Sequence, residues 1–101
     1  MSDLKSRLES EEVDFLFDAI LCLKDREECY KFFDDICTIK EIKELEQRIQ
    51  VAKFLKLGRT YLHIASTTGA STATISRVNR SLNYGSDGYK LVFERLECKD
   101  K

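Results

Sequence analysis

Apolar residues along this chain recur at spacings of three and four, which is the period of an α-helix. No segment shows the sustained alternation of apolar and polar residues, bounded by turns, that is typical of a strand. The chain contains no proline and only four glycines, so few residues interrupt the helical pattern. Six separate segments carry it, and the sequence therefore predicts an all-α fold of six helices.

Capping residues mark where these helices begin. Ser10 precedes EEVDFLFDAILCL, whereas Thr60 and Ser71 precede YLHIAST and TATISRVNRSLN. Asp25 and Thr38 are each followed three residues later by glutamate, which is the capping-box spacing, and they precede the helices containing CYKFFDDI and KEIKELEQRIQVAKFLKL. We predict one domain over residues 1–101, with two dimerisation helices in 1–37, a long central helix in 38–58, a helix-turn-helix in 60–84 and a C-terminal helix in 88–97.

The first two helices are too apolar for a small monomer. Large apolar side chains cover much of the helix that follows Ser10, and aromatic side chains crowd the helix that follows Asp25. A helix that is apolar on most sides must be buried on most sides, and a chain of 101 residues cannot supply that much cover alone. We therefore predict that these helices pack against the same helices of a second chain in a homodimer.

Charge is distributed unevenly along the sequence. The 17 Lys and Arg residues nearly balance the 18 Asp and Glu residues, giving a net charge of −1. Residues 47–86 nevertheless contain six Lys or Arg and no acidic residue, whereas residues 1–46 carry a net charge of −7. An acid-free stretch of this length indicates a surface that meets a polyanion.

Residues 61–80 have the pattern of a helix-turn-helix. Ala65 fits the position where the two helices approach closely, and Gly69, four residues later, supplies the left-handed conformation of the turn. Ile64, Ile75 and Val78 are the apolar residues that hold the second helix against the first. The second helix of such a motif lies in the major groove of DNA and is called the recognition helix.

The residues on the outward face of the recognition helix can be derived from the residues on its inward face. With Ile75, Val78 and Leu82 inward, a rotation of 100° per residue turns short side chains outward near the N-terminus and long ones after it. This arrangement lets the N-terminal end enter the major groove closely, while residues before the motif position the protein through backbone contacts. The predicted contacts to double-stranded DNA are Thr72, Ala73, Thr74, Ser76, Arg77 and Arg80, together with Lys56, Arg59 and Thr60 before the motif.

Two segments carry a family resemblance. GASTATISRVNRSL resembles the recognition helix of the Trp repressor superfamily, and FFDDICTIKEIKELEQRIQVAKFLKLG resembles its long central helix and the segment before it. KDREECYKFFDDICTIKEI and TGASTATISRVNRSLNYG are similar to the YerC/YecD branch of bacterial Trp-repressor-like proteins. The resemblance implies an intertwined homodimer that presents two recognition helices to successive major grooves of a palindromic operator, and hence a transcriptional regulator.

The ligand pocket of that family is altered in this sequence. In tryptophan-responsive members two arginines sandwich the indole, and a threonine and a serine help hold the amino acid; the matching residues are Arg48, Arg77, Thr38 and Ser81. Those members have a glycine beside the second arginine, where this chain has Val78. An added isopropyl group in the space of the indole should cost about 1–3 kcal/mol. We predict that tryptophan is not the effector, and that the pocket is either filled by the protein's own side chains or takes a smaller ligand.

Other functions and sites find little support in the sequence. The four cysteines include no CxxC pair and His63 is the only histidine, so we predict no metal, no cofactor and reduced thiols packed as small apolar groups. No cysteine or serine has a base partner visible in the sequence, so we predict that the protein is not an enzyme. No apolar run reaches the roughly 20 residues of a membrane span and no signal peptide is apparent, so we expect a cytoplasmic protein with no membrane partner.

One alternative function stays open at this point. The chain could be an interaction module whose helix-turn-helix binds a protein, because the acidic N-terminal half offers a surface for a basic partner. Loss of DNA binding on replacing Arg77 or Ser76 would separate the two hypotheses.

Overall fold

The computed structural model describes residues 7–99, and for the last of these residues it describes the backbone only. Over that range the chain forms six α-helices and no β-strand, which confirms the predicted all-α fold. In chain order the helices are α1 (Glu11–Leu21), α2 (Arg26–Ile36), α3 (Ile39–Lys56), α4 (Tyr61–Thr68), α5 (Thr72–Tyr84) and α6 (Gly88–Lys99). The described residues fall into two compact units that divide after Ile39, here called the N-terminal unit (7–39) and the C-terminal unit (40–99).

The two helices of the N-terminal unit begin at the predicted caps. The Ser10 hydroxyl accepts a hydrogen bond from the N–H of Val13 at 3.1 Å, and the Asp25 carboxylate accepts one from the N–H of Glu28 at 2.9 Å. The Glu28 carboxylate in turn accepts from the N–H of Lys24 at 2.8 Å. A standard capping box would use the N–H of the cap residue itself, so the reciprocal bond forms one residue earlier than predicted.

Helix α1 ends two residues before the predicted end at Leu23. The N–H groups of Cys22 and Leu23 donate to the carbonyls of Ala19 and Ile20 at 3.2 and 3.0 Å. Bonds to the third preceding residue tighten the last turn and leave the α-helical ladder.

Neither α1 nor α2 contains a buried residue. Phe15, Leu21 and Tyr30 are 76%, 80% and 74% exposed. Exposed apolar groups of this size in a small domain are typical of an interaction surface. They form the surface for which the sequence predicts a second chain.

The C-terminal unit contains every hydrophobic residue that is buried within residues 7–98. Ile64, Ile75 and Val78, the three residues predicted to hold the helix-turn-helix together, all belong to this core. The remaining core residues come from α3, the α4–α5 turn and α6, and they are Val51, Ala52, Ala70 and Phe93. Partly buried residues surround them: Phe54, Leu55, Ala65, Leu82 and Tyr89.

The end of α3 fixes where α4 begins. Gly58 has a φ of +80°, its N–H donates to the carbonyl of Leu55, and the N–H of Arg59 donates to that of Phe54, both at 3.0 Å. This pair of bonds around a left-handed glycine is the Schellman motif, which ends a helix with a defined chain direction. Thr60 follows directly as the cap of α4. Across the described residues, none of the six helices combines the length and apolar composition that a membrane span requires.

Candidate nucleic-acid interface

Three residues join α4 to α5, and hydrogen bonds hold their path. Gly69 has a φ of +76° and its N–H donates to the carbonyl of Ala65 at 2.9 Å, so the predicted left-handed glycine is confirmed. The Thr68 hydroxyl donates to the carbonyl of Ile64 at 2.7 Å and accepts from the N–H of Ala70 at 3.1 Å. Ala70 is buried in the core, and the turn is therefore anchored to the helices that it connects.

The predicted caps of α4 and α5 are also confirmed. The Thr60 hydroxyl accepts from the N–H of His63 at 3.1 Å, and the Ser71 hydroxyl accepts from the N–H of Thr74 at the same distance. Neither helix has an acidic residue in its first turn. The positive end of each helix dipole therefore lacks a negative side chain, which favours an anion at that end.

Helix α5 has one buried side and one exposed side. Ile75 and Val78 are buried, and Leu82 is partly buried beside them. On the opposite side, the predicted DNA contacts on this helix are all exposed except Thr74. The exposed set comprises Thr72, Ala73, Ser76, Arg77 and Arg80.

Thr74 lies away from the exposed face. Its side chain is half-buried, and its hydroxyl accepts a hydrogen bond from the Ser71 hydroxyl at 3.1 Å. The local geometry therefore gives this hydroxyl a role at the start of α5.

The three predicted contacts before the motif differ in their surroundings. Lys56 forms an ion pair with Glu97 of α6, with 3.0 Å between Nζ and Oε2, and its Nζ lies 5.4 Å from the centre of the Phe93 ring. Arg59 and Thr60 are exposed. No carboxylate within the described part of the chain forms an ion pair with Arg59, Arg77 or Arg80, so these three arginines are available to a polyanion.

The residues of the altered ligand pocket differ in their surroundings. Arg48 lines an open groove of about 480 Å³ whose other lining residues are Ile42, Leu45, Glu46, Ile49 and Tyr89. Arg77, Val78 and Ser81 do not line it. Val78 is only 3% exposed and belongs to the core cluster, and Arg77 and Ser81 are exposed on α5. Thr38 belongs to the N-terminal unit.

Tyr84 is an exposed residue of α5 that the sequence analysis missed. It is 87% exposed and follows Ala73, Arg77 and Arg80 along the same side of the helix. At 100° per residue these four side chains fall within a stripe about 60° wide. The periodicity could have identified Tyr84, but the predicted helix stopped at Asn83, whereas α5 includes Tyr84.

The cysteines do not occupy the positions expected for them. All four are free, but Cys22, Cys29 and Cys98 are exposed and only Cys37 is partly buried. Within the single chain, three of them are therefore not packed as small apolar groups: Cys29 and Cys98 are exposed on α2 and α6, and Cys22 is exposed directly after the end of α1. In the range that the structure describes, no three His, Cys, Asp or Glu side chains are grouped as metal ligands would be.

Comparison with known proteins identifies relatives of this chain. The YerC protein of Bacillus subtilis (strain 168), which is uncharacterized, is 57% identical over 91 residues, covering 90% of this chain and 88% of YerC. The crystal structure of a TrpR-like protein from Eubacterium eligens ATCC 27750 has a TM-score of 0.86 and 65% identity, covering 90% of this chain and 94% of that one. A proposed Trp repressor from Staphylococcus aureus has a TM-score of 0.86 and 56% identity, covering 90% and 91%.

A family model agrees with these relatives. The model that describes the Trp repressor protein matches residues 11–97, which includes nearly all of α1 to α6. The resemblance predicted from the central helix and the recognition helix is confirmed. This chain belongs to the Trp repressor family, a family of DNA-binding regulators that are not enzymes.

Proposed function

We propose that this chain is a sequence-specific DNA-binding transcriptional regulator that acts as a homodimer on a two-fold symmetric operator. The observation that carries the proposal is the exposed face of α5. That face begins with Thr72 and Ala73, which are small, and continues with Arg77 and Arg80, which have no carboxylate partner among the described residues. Small side chains permit close approach to bases, and arginine can form paired hydrogen bonds with guanine or bind a phosphate.

Electrostatics support the same proposal. The acid-free stretch at 47–86 includes the whole of α4 and α5, and both helices lack an acidic residue at the positive end of the dipole. A DNA backbone supplies the negative charge that the motif itself omits.

The N-terminal unit supports the proposal of a homodimer. The side chains of α1 and α2 are not buried within the single chain, although Phe15, Leu21 and Tyr30 are large and apolar. A second copy covers such a surface, and two copies related by a two-fold axis present two recognition helices to a palindromic site.

Val78 supports regulation that does not depend on tryptophan. Its side chain belongs to the same buried cluster as Val51 and Ile75, so it cannot move aside for a bulky ligand without opening the core. Interiors are closely packed, and added volume in them is destabilising. We therefore expect the protein to bind its operator with no added amino acid.

Selection of preferred sites from a random duplex library tests the proposal, with the full chain alone in one arm and with tryptophan in the other. We expect the same two-fold symmetric sequence to be enriched in both arms. Enrichment only with tryptophan would contradict the argument from Val78. Enrichment in neither arm would contradict sequence-specific binding by this protein alone.

Replacing single residues distinguishes DNA binding from the alternative interaction module. Arg77→Ala and Ser76→Ala should each abolish binding to the selected operator, while Arg95→Ala, an exposed arginine on α6, should leave it unchanged. If the α5 variants still bind DNA but lose a protein partner, the interaction module is the correct function.

A further inference from the structure

We infer that the phenolic hydroxyl of Tyr84 donates a hydrogen bond to a DNA phosphate. The exposed stripe on α5 then ends in an uncharged contact to the DNA backbone. The inference rests on the proposed DNA binding and adds a residue that positions the recognition helix. Phosphate contacts of this kind fix the orientation of a protein on the duplex without specifying its sequence.

The surroundings of Tyr84 are the first reason. Its side chain is 87% exposed, and none of the hydrogen bonds or ring contacts within the described residues involves it. Tyrosine combines an apolar ring with a hydroxyl that usually finds a partner when it is covered. The neighbouring Asn83 differs, because its side-chain amide already donates to the carbonyl of Asn79 at 2.9 Å.

The length of the stripe is the second reason. Tyr84 lies eleven positions after Ala73, which corresponds to about 16 Å along the helix axis at 1.5 Å per residue. A recognition helix contacts base edges with its N-terminal residues. The C-terminal end of the stripe then lies beyond the base edges, where the available acceptors are phosphate oxygens.

The chain beyond Tyr84 leaves room for the contact. The N–H of Gly85 donates to the carbonyl of Ser81 at 3.0 Å, and a Cβ at Gly85 would collide with that carbonyl oxygen. The absence of a side chain at Gly85 lets the backbone close tightly on the last turn. Tyr84 is therefore the last side chain of the stripe, and α5 ends directly after it.

Charge separates the role of Tyr84 from that of the arginines. A cation that contacts phosphate releases condensed counterions, so its loss flattens the dependence of log affinity on log salt concentration by about 0.9 per contact. A neutral hydroxyl releases none. Tyr84→Phe should therefore weaken binding at every salt concentration without changing this slope.

The experiment measures affinity over a range of salt concentrations for the operator from the library selection and for an unrelated duplex. For Tyr84→Phe we expect a loss on the order of a hundredfold, about tenfold for each of the two contacts of a dimer, equal on both duplexes and with an unchanged slope. Arg80→Ala should flatten the slope by about 2 per dimer. Tyr89→Phe is the matched control, because Tyr89 lies on α6 with its ring stacked on Phe93 at 6.3 Å, and it should bind as the wild type does.

Three results would overturn the inference while the wild type still binds its operator. They are a Tyr84→Phe affinity equal to that of the wild type, a loss confined to the operator, and a change in slope. A wild type that binds both duplexes equally overturns sequence-specific recognition alone, whereas one that binds neither overturns both proposals. Because the hydroxyl is exposed and makes no bond in the described chain, thermal unfolding should be the same for Tyr84→Phe and the wild type.

Discussion

The N-terminal and C-terminal units use apolar residues in opposite ways. Helix α1 is the most apolar of the six, yet neither it nor α2 contains a buried residue. Helices α4 and α5 bury Ile64, Ile75 and Val78 despite many polar neighbours. The apolar content of a helix thus indicates how much of its surface must be buried. The spacing of the apolar residues along the helix indicates whether the same chain can bury that surface.

The two units also differ at the starts of their helices. Helices α1 and α2 have acidic residues in the first turn, while α4 and α5 have none. Acidic residues at this position stabilise a helix through its dipole. The N-terminal helices therefore compensate their own dipoles, whereas the first turns of α4 and α5 contain no such compensating charge.

The largest expected effect is dissociation of the dimer when an apolar residue of the N-terminal unit is replaced. Leu21→Glu places a charge on the apolar surface of α1. Losing two buried leucines should cost a dimer about 3–6 kcal/mol, and analytical ultracentrifugation should show dissociation. Leu62→Glu, at a residue of α4 that is 82% exposed, should leave the mass unchanged. An unchanged mass for Leu21→Glu would show that α1 does not form the interface.

A smaller effect is expected inside the C-terminal core. Ile64 is completely buried, whereas Leu62 lies two residues away on the same helix and is exposed. Ile64→Ala should lower the free energy of unfolding by about 2–5 kcal/mol, through lost burial and the cavity left behind. Leu62→Ala should change it by less than about 0.5 kcal/mol. Denaturant titrations at equal protomer concentration measure both, and similar values for the two variants would contradict the assignment of the core.

The smallest effect concerns the turn within the helix-turn-helix. A Cβ at Gly69 or at Gly88 meets no atom within 4 Å, but only Gly69 has a positive φ. Gly69→Ala should therefore cost about 1–2 kcal/mol from backbone conformation alone. Gly88→Ala should be neutral or stabilise by up to about 1 kcal/mol. The difference between their denaturation midpoints tests the left-handed turn, and equal midpoints would argue against it.

Much of the fold was predictable because its determinants are local. Caps such as Ser10 and Ser71 act on an N–H three residues away, and a left-handed turn requires a residue such as Gly69. Spacing alone also placed Ile64, Ile75 and Val78 in the core. The caps and the turn depend on residues within one helical turn of each other, and the core positions depend on the spacing along each helix, so a single sequence contains the information.

Features that depend on distant residues were not predictable in the same way. The ion pair between Lys56 and Glu97 joins residues 41 positions apart, and no local pattern indicates that α6 meets the end of α3. The interaction of Thr74 with Ser71 was missed for a different reason, because both hydroxyls have other possible roles at a helix start. The extent of a helix is also the least certain part of a sequence prediction, and this uncertainty removed Tyr84 from the predicted face.

The separation of the two sides of α5 has a consequence for how this protein can diverge. The buried side consists of Ile75, Val78 and the partly buried Leu82, and the exposed stripe shares no residue with it. Substitutions at Ala73, Arg77 or similar positions therefore leave the packing of the helix unchanged. Under the proposed DNA binding, descendants of one ancestral gene would acquire new operators through substitutions along that stripe while keeping the same framework, and the stripe is where new specificity would be engineered.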